Sequence, residues 1–400
     1  MRKYAVTSPC QPKAFSVWLD AFRWIAASLV MIGHVGGPLL VGLSDLPRGS
    51  GMLMHYAYSF IGGFGHQGVM VFFVMSGLFV GGSLVAESQS GSVDPLKYLT
   101  KRFVRLTIVL WPALVLSFVL YTVGKNISPE VYDARLSDSV GISSFVCNAL
   151  FMQGALCNMY AGNYSLWSLF HEFWYYMIFL IMVLTFLVRN RRIPFLLGIA
   201  AVLLLSLTLS VLQFRNAPIM PYMIIWLLGV YVAVAEKPRH LTSVYPVAIA
   251  IVLFAVAIRV LIGADNLRGL TLLSFATDII LSLMFTKLLI NMKYAQRLIM
   301  PPLPRMHHQF AEFSFSLYCT HYPVAYFFSA VALYLFGVGF DMVPTHYGQW
   351  SIVFAALITC FAFGYLFSLA TERHTNTVRV AVYAFLKSLR PLRARVSGEP

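Results

Sequence analysis

Arg23 and His34 stand eleven positions apart in one apolar stretch, Leu19–His34. At about 100° per residue that is nearly three whole helical turns, so both side chains leave one face, roughly 16 Å apart along the axis. Ionisable groups inside an apolar run are costly and face a protein interior or a wet cavity. The chemistry on offer is a cationic anchor near one membrane surface and a titratable group deeper in. The plain alternative is an arginine that snorkels to the interface and a histidine that makes only a helix contact.

Glu172 sits about four residues into another apolar run, in Trp167-Ser168-Leu169-Phe170-His171-Glu172. Residue counting gives it a depth similar to that of His34. A carboxylate beside an imidazole orients the ring and raises its basicity. His34 with Glu172 is therefore the candidate acid–base pair, against a structural glutamate bonded to nearby tyrosine and tryptophan side chains. His171, next in sequence, points to another face.

Arg102 and Arg105 are three apart and share a helix face, as suits a polyphosphate or nucleotide; ordinary topology-setting charge is the competing reading. Ser76-Gly77 fits close helix packing better than a serine nucleophile paired with His34, because no nucleophile-elbow pattern surrounds it. His321 lies near the middle of a further run, beside the helix-breaking Pro323. Irregular backbone next to an ionisable residue suggests a cavity lining, and a histidine bonded to a freed carbonyl is the equal alternative. Cys147 and Cys157 either form a disulfide or remain two thiols in a half-buried re-entrant segment, and the cysteines make no metal set.

These residues need elements to hold them. The chain has 400 residues, 59% of them hydrophobic and 11% charged, with mean hydropathy +0.75, where an ordinary soluble domain carries about 25% charge. Apolar runs near 16–40, 65–86, 106–124, 166–188, 194–213, 218–235, 243–262, 269–291, 313–337 and 350–371 predict ten membrane spans. Lysine and arginine gather in alternate loops, for example Lys97, Lys101, Arg102 and Arg105, then Arg189, Arg191 and Arg192. That bias predicts both termini on the cytoplasmic side. The net charge of +14 is read as loop charge and not as a nucleic-acid footprint, since no soluble stretch is long enough to carry one. Met1 to Lys13 shows no cleavable signal pattern. The fold expected is all-α and polytopic: one domain over 1–400, with a basic N-terminus 1–15 and a C-terminal tail 373–400. Asn126-Ile127-Ser128 and Asn163-Tyr164-Ser165 match glycosylation sequons, which are common by chance.

Taken together these segments resemble the acyltransferase-3 family of integral membrane O-acyltransferases, from about Leu19 to Glu372. The matching pieces are Leu19-Asp20 with Arg23 and His34; Val71-Phe72-Phe73-Val74-Met75-Ser76-Gly77; Arg102 and Arg105; Trp167-Ser168-Leu169 with Glu172 and Tyr175-Tyr176; and Ser314, Tyr318, His321 and Pro323. No single piece is specific, but five in order are strong. The resemblance implies about ten spans and transfer of acyl groups, commonly acetyl from acetyl-CoA, to hydroxyls of cell-envelope or exported glycans and some small molecules. It implies that Arg23, His34, Arg102 and Arg105 are essential. Phe170 and His171 depart from the usual residues before the glutamate. Many relatives carry an extra soluble esterase-like domain, and this chain, ending at Pro400, would complete transfer without one.

Residues and resemblance together predict a multi-pass protein of the bacterial inner membrane. Arg102, Arg105 and Arg23 hold the phosphates of an acyl-CoA donor, and His34, polarised by Glu172, deprotonates an acceptor hydroxyl. Ser76, Trp167, Tyr318 and His321 are candidate cavity lining, lipid is a partner, and no metal is needed. The competing classes are a proton-coupled transporter of a small solute or glycan, for which no internal repeat speaks, and a non-catalytic scaffold, which leaves the intramembrane histidine and glutamate unexplained.

Overall fold

The computed structural model describes residues 13–42, 45–46, 53–91, 93–133, 136, 139–187, 219–261 and 271–389. They form helices α1 (Lys13–Leu39), α2 (Leu53–Gly62), α3 (Gly65–Ser76), a π-helical turn (Gly77–Gly81), α4 (Gly82–Gln89), α5 (Pro95–Ile127), α6 (Pro129–Asp133) and α7 (Ile142–Ala149). After two 3₁₀ turns come α8 (Trp167–Leu187), α9 (Ile219–Val234), α10 (Val244–Leu261), α11 (Leu272–Tyr294), α12 (Pro304–Glu312), α13 (Ser314–Phe336), α14 (Tyr347–Ala370) and α15 (Thr375–Ser388). Among the described residues there is no strand, and eight helical stretches are long and apolar enough to cross a membrane. In lipid only structures that satisfy their own backbone survive, which a helix does within itself.

The expected run near 65–86 is part of a longer helical stretch, Leu53–Gln89. The run near 218–235 appears as α9, whose apolar part, Tyr222–Val234, is shorter than a full crossing. The run near 194–213 lies outside the described residues.

Local chemistry sets several boundaries. The Asp94 carboxylate accepts from the backbone N–H of Leu96 (3.0 Å) and Lys97 (3.1 Å), with Pro95 at the first helical position, so α5 starts there. Thr271 and Ser274 form a reciprocal capping box at the start of α11. Gly337, at φ +64°, ends α13 in the left-handed conformation that glycine adopts freely.

α1 and α13 run parallel. His34 meets His321, and farther along the Ser329 hydroxyl donates to the Pro38 carbonyl (3.3 Å). The end of α3 and the π-helical turn after it cross α9 at Gly77 and Gly229, where an added methyl would strike the Trp226 and Val74 carbonyl oxygens respectively. That close approach brings the Trp226 indole N–H to the Ser76 hydroxyl, at 3.2 Å. The π-helical turn follows directly after Ser76, and such turns concentrate at functional sites.

The stretch before α8 is cross-linked and pinned. Cys147 and Cys157 are disulfide-bonded. Pro323 has no N–H to offer the Cys319 carbonyl one turn back, and the Asn163 side chain donates to that carbonyl instead, at 3.0 Å. Asn163 is fully buried and also donates to Ser117, at 3.3 Å, so its amide nitrogen is enclosed, which does not suit a glycosylation acceptor.

Candidate active site

A cavity of about 300 Å³ lies among α1, α3, α5, α8 and α13. Arg23, Ser76, Arg102, Arg105, Glu172 and Tyr318 all line it. Sequence positions from 23 to 318 thus converge on one space, and the three guanidinium groups are the cations of that wall.

The two paired arginines do different things. Arg102 is buried, donates to the Ser83 hydroxyl (3.0 Å) and lies over the rings of Tyr98 and Tyr176. Its Nε is buried with no hydrogen-bond partner among the described residues. Arg105 is more open, its side chain 42% exposed, and meets Glu372 at 3.6 Å. The Glu372 carboxylate is only 7% exposed and accepts from the backbone N–H (3.1 Å) and hydroxyl (3.0 Å) of Ser316. It ties Arg105 to the start of α13. Arg23 contacts Asp20 at 3.8 Å on its own helix, and the charges of Arg105, Glu372 and Glu172 also reach it.

Glu172 does not meet His34. Its Oε1 accepts from Ser76 (3.1 Å) and from the Tyr176 hydroxyl, and those two hydroxyls lie 3.1 Å apart. In place of the expected His34–Glu172 unit, Glu172, Ser76 and Tyr176 form a network in the cavity wall, which Trp226 joins from behind Ser76. Counting residues along a helix fixes depth but not azimuth, and Glu172 faces α3, not α1. Ser76 meets no histidine. Trp167 is not in this wall either; its ring packs against His66, His171 and Phe73.

His34 has another partner. Its Nδ1 lies 2.9 Å from Nε2 of His321, with the rings nearly parallel at 6°. Nδ1 of His321 lies 2.9 Å from the Leu317 carbonyl. A carbonyl only accepts, so Nδ1–H of His321 donates to it, and the other nitrogen of the neutral ring is an acceptor. Nδ1–H of His34 then donates to His321, which leaves the lone pair of His34 on Nε2. Of the two open readings of His321, the structure shows the carbonyl-bonded one; the ring does not line this cavity, and its side-chain partner is His34. His321 is fully buried and His34 half-buried. Neither imidazole lines the cavity; the contact to it runs through Tyr318. Tyr318, part of the lining, packs its ring 6.0 Å from that of His321 and donates its hydroxyl to the Ser165 carbonyl at 2.6 Å.

Two further groups went unmarked in the sequence. Glu372 ends the last apolar run among the charges of the tail, and only its depth in the fold separates it from them. Asp278 is the one acidic residue in the run 269–291, a signal that should have flagged it. Its carboxylate, 3% exposed, meets His66 at 2.7 Å. Among the described residues no group of three or more His, Cys, Asp or Glu side chains could hold a metal ion.

Neither a curated protein nor a solved structure matches the chain. The acyltransferase domain family model matches residues 16–373 and takes in Arg23, His34, Arg102, Arg105, Glu172, His321 and Glu372. The chain belongs to the acyltransferase-3 family and is a multi-pass membrane acyltransferase that transfers groups other than amino-acyl groups.

Proposed function

We propose that this single transmembrane domain moves an acyl group, acetyl in the first instance, from acyl-CoA to a hydroxyl of a cell-envelope or exported glycan at the bacterial inner membrane. The observation that carries the reading is the line from three guanidinium groups in one cavity to an imidazole whose lone pair is defined by its neighbours. The guanidinium groups suit the phosphates of the donor. On this reading the termini and the Arg23 end of α1 face the cytoplasm, where acyl-CoA is made. The loop charges support this, as does a disulfide in the loop before α8, which fits an oxidising compartment on the opposite side.

In the transfer step Nε2 of His34 takes the proton of the acceptor hydroxyl as its oxygen attacks the thioester carbonyl. The carbon–sulfur bond then breaks, and the leaving thiolate takes that proton back as the CoA thiol. His321 holds the ring in the tautomer that has Nε2 free. Glu172, away from His34, fixes Ser76 and Tyr176 along the path of the donor arm. Glu372 holds Arg105 in place at the wall.

The test compares envelope glycans of a deletion strain with those of its parent by mass spectrometry. Loss of ester-linked acyl groups on deletion, restored by the wild-type gene and not by His34→Ala, is expected. Identical acylation in both strains would remove the glycan acceptor.

A further inference from the structure

A second cavity, of about 750 Å³, lies between the Trp18 end of α1, residues 237–248 and the last turns of α11. None of its lining residues is acidic. Asn291 lines it and is fully buried. The Asn291 amide donates to the Thr242 hydroxyl (2.7 Å), but its carbonyl oxygen is buried and accepts no hydrogen bond among the described residues. A buried oxygen without a donor is costly and asks for an N–H or O–H from a bound group.

The rest of the lining narrows what that group is. Trp18 has spent its indole N–H on the Ile299 carbonyl (2.9 Å), and Tyr294 its hydroxyl on the Ala235 carbonyl (2.6 Å). These two rings therefore offer faces and no free polar handle. Lys237 and Arg297 are exposed lining residues, and neither has an ion-pair partner among the described residues. Flat apolar faces, one acceptor and two cations describe a purine with an exocyclic amino group that carries phosphate.

We propose that this cavity binds the adenosine bisphosphate end of the acyl donor, with the adenine amino group donating to the Asn291 carbonyl and a phosphate between Lys237 and Arg297. The proposal rests on the CoA-donor reading above and deepens it. Trp18 and Arg23 are five residues apart on α1, roughly 7–8 Å of rise. Five residues also turn α1 by about 140°, so the remainder of the donor passes round the helix as well as along it before its outer phosphate meets the arginine cavity.

The experiment uses the wild-type protein in nanodiscs and needs no thioester. Photolabelling with azidoadenosine 3′,5′-bisphosphate, followed by peptide mapping, should mark residues 237–245 or 288–299. Equilibrium binding should favour adenosine over inosine bisphosphate, because inosine presents a carbonyl where adenine presents the amino group. Asn291→Leu should abolish that preference. Lys237→Ala with Arg297→Ala should weaken both nucleotides about tenfold, near 1.4 kcal/mol. These two cations are exposed, so their variant still reports if Asn291→Leu fails to insert.

Labelling elsewhere, an undiminished adenosine preference in folded Asn291→Leu, or displacement of the label by phosphatidylglycerol but not by CoA would overturn the proposal. The last of these would make the cavity a lipid site. Acyl transfer from CoA with the label outside the cavity defeats this inference alone. Labelling in the cavity without transfer from any acyl-CoA defeats the donor reading and leaves the nucleotide site standing.

Discussion

His34 and His66 belong to helices that pack against each other, and each imidazole has one polar side-chain partner. For His34 it is a second neutral ring, His321, itself held by a carbonyl. For His66 it is Asp278, a carboxylate shut away at 3% exposure. By bonding pattern alone His66–Asp278 looks more like a catalytic pair, since a carboxylate orienting an imidazole is the arrangement of hydrolase triads. Location reverses the choice. His34 shares a helix with Arg23 and adjoins the arginine-lined cavity through His321 and Tyr318. His66 is bounded by Trp167 and Tyr222, and neither it nor Asp278 lines that cavity. Nor does a carboxylate inside a span imply catalysis. It needs a hydrogen-bond partner, and His66 supplies one, pinning α3 to α11.

The largest effect should separate the two histidines outright. His34→Ala should lower acyl transfer by about 10²–10⁴, the usual cost of losing a general base, while the protein still inserts. His66→Ala should leave turnover per folded molecule unchanged. If His66→Ala is the dead variant and His34→Ala is not, the assignment is reversed.

Next in size is the partner ring. His321→Asn should cost roughly ten- to a hundredfold, the range for groups that orient a working imidazole. Combined with His34→Ala it should add nothing, as residues acting as one unit do not multiply. Glu172→Gln combined with His321→Asn should multiply, because Glu172 bonds Ser76 and Tyr176 and not the imidazoles. A non-additive Glu172–His321 pair in transfer assays would restore the glutamate to the acid–base unit.

Smaller still is the donor end. Arg102→Lys or Arg105→Lys, each keeping charge but losing the planar fork, should raise the apparent donor constant roughly three- to tenfold with acceptor dependence unchanged. Glu372→Gln should do the same through Arg105. Lysine substituting fully at both positions would leave these arginines as topology signals. The smallest effect concerns stability. His66→Ala strands the Asp278 carboxylate, costing about 1–3 kcal/mol and showing as a lower unfolding temperature in detergent. An unchanged unfolding temperature would show that the pair pins nothing.

Much of this was legible along the chain, because it follows from period and composition. Arg23 with His34, and Arg102 with Arg105, are placed on their faces by helical geometry alone, and apolar run length located most spans. What stayed hidden depends on which helix lies beside which. His34 and His321 are 287 positions apart, and nothing in either run names the other. Glu172 was given His34 as its neighbour and instead bonds Ser76 and Tyr176. Glu372 looked like one more tail charge until Ser316 and Arg105 closed around it. The disulfide was one of two open readings for the same reason: spacing allowed it, and only the fold of the loop brings Cys147 to Cys157.

The Asn163 substitution for a missing backbone donor has a consequence for how the molecule is made. Asn163 and Cys319 lie 156 positions apart, and Ser165 and Ser168 meet Tyr318 across the same seam. When the ribosome has finished α8, the groups that will cover its entry have not been synthesised. The buried polar side chains there must wait, hydrated or held by insertion machinery, until α13 arrives with its proline gap. The seam therefore closes late in biogenesis, and it joins the first half of the chain to the second. Truncation just before α13 should leave a protease-sensitive entry to α8 even though every earlier helix is present, and adding α13 should protect that entry and the site together.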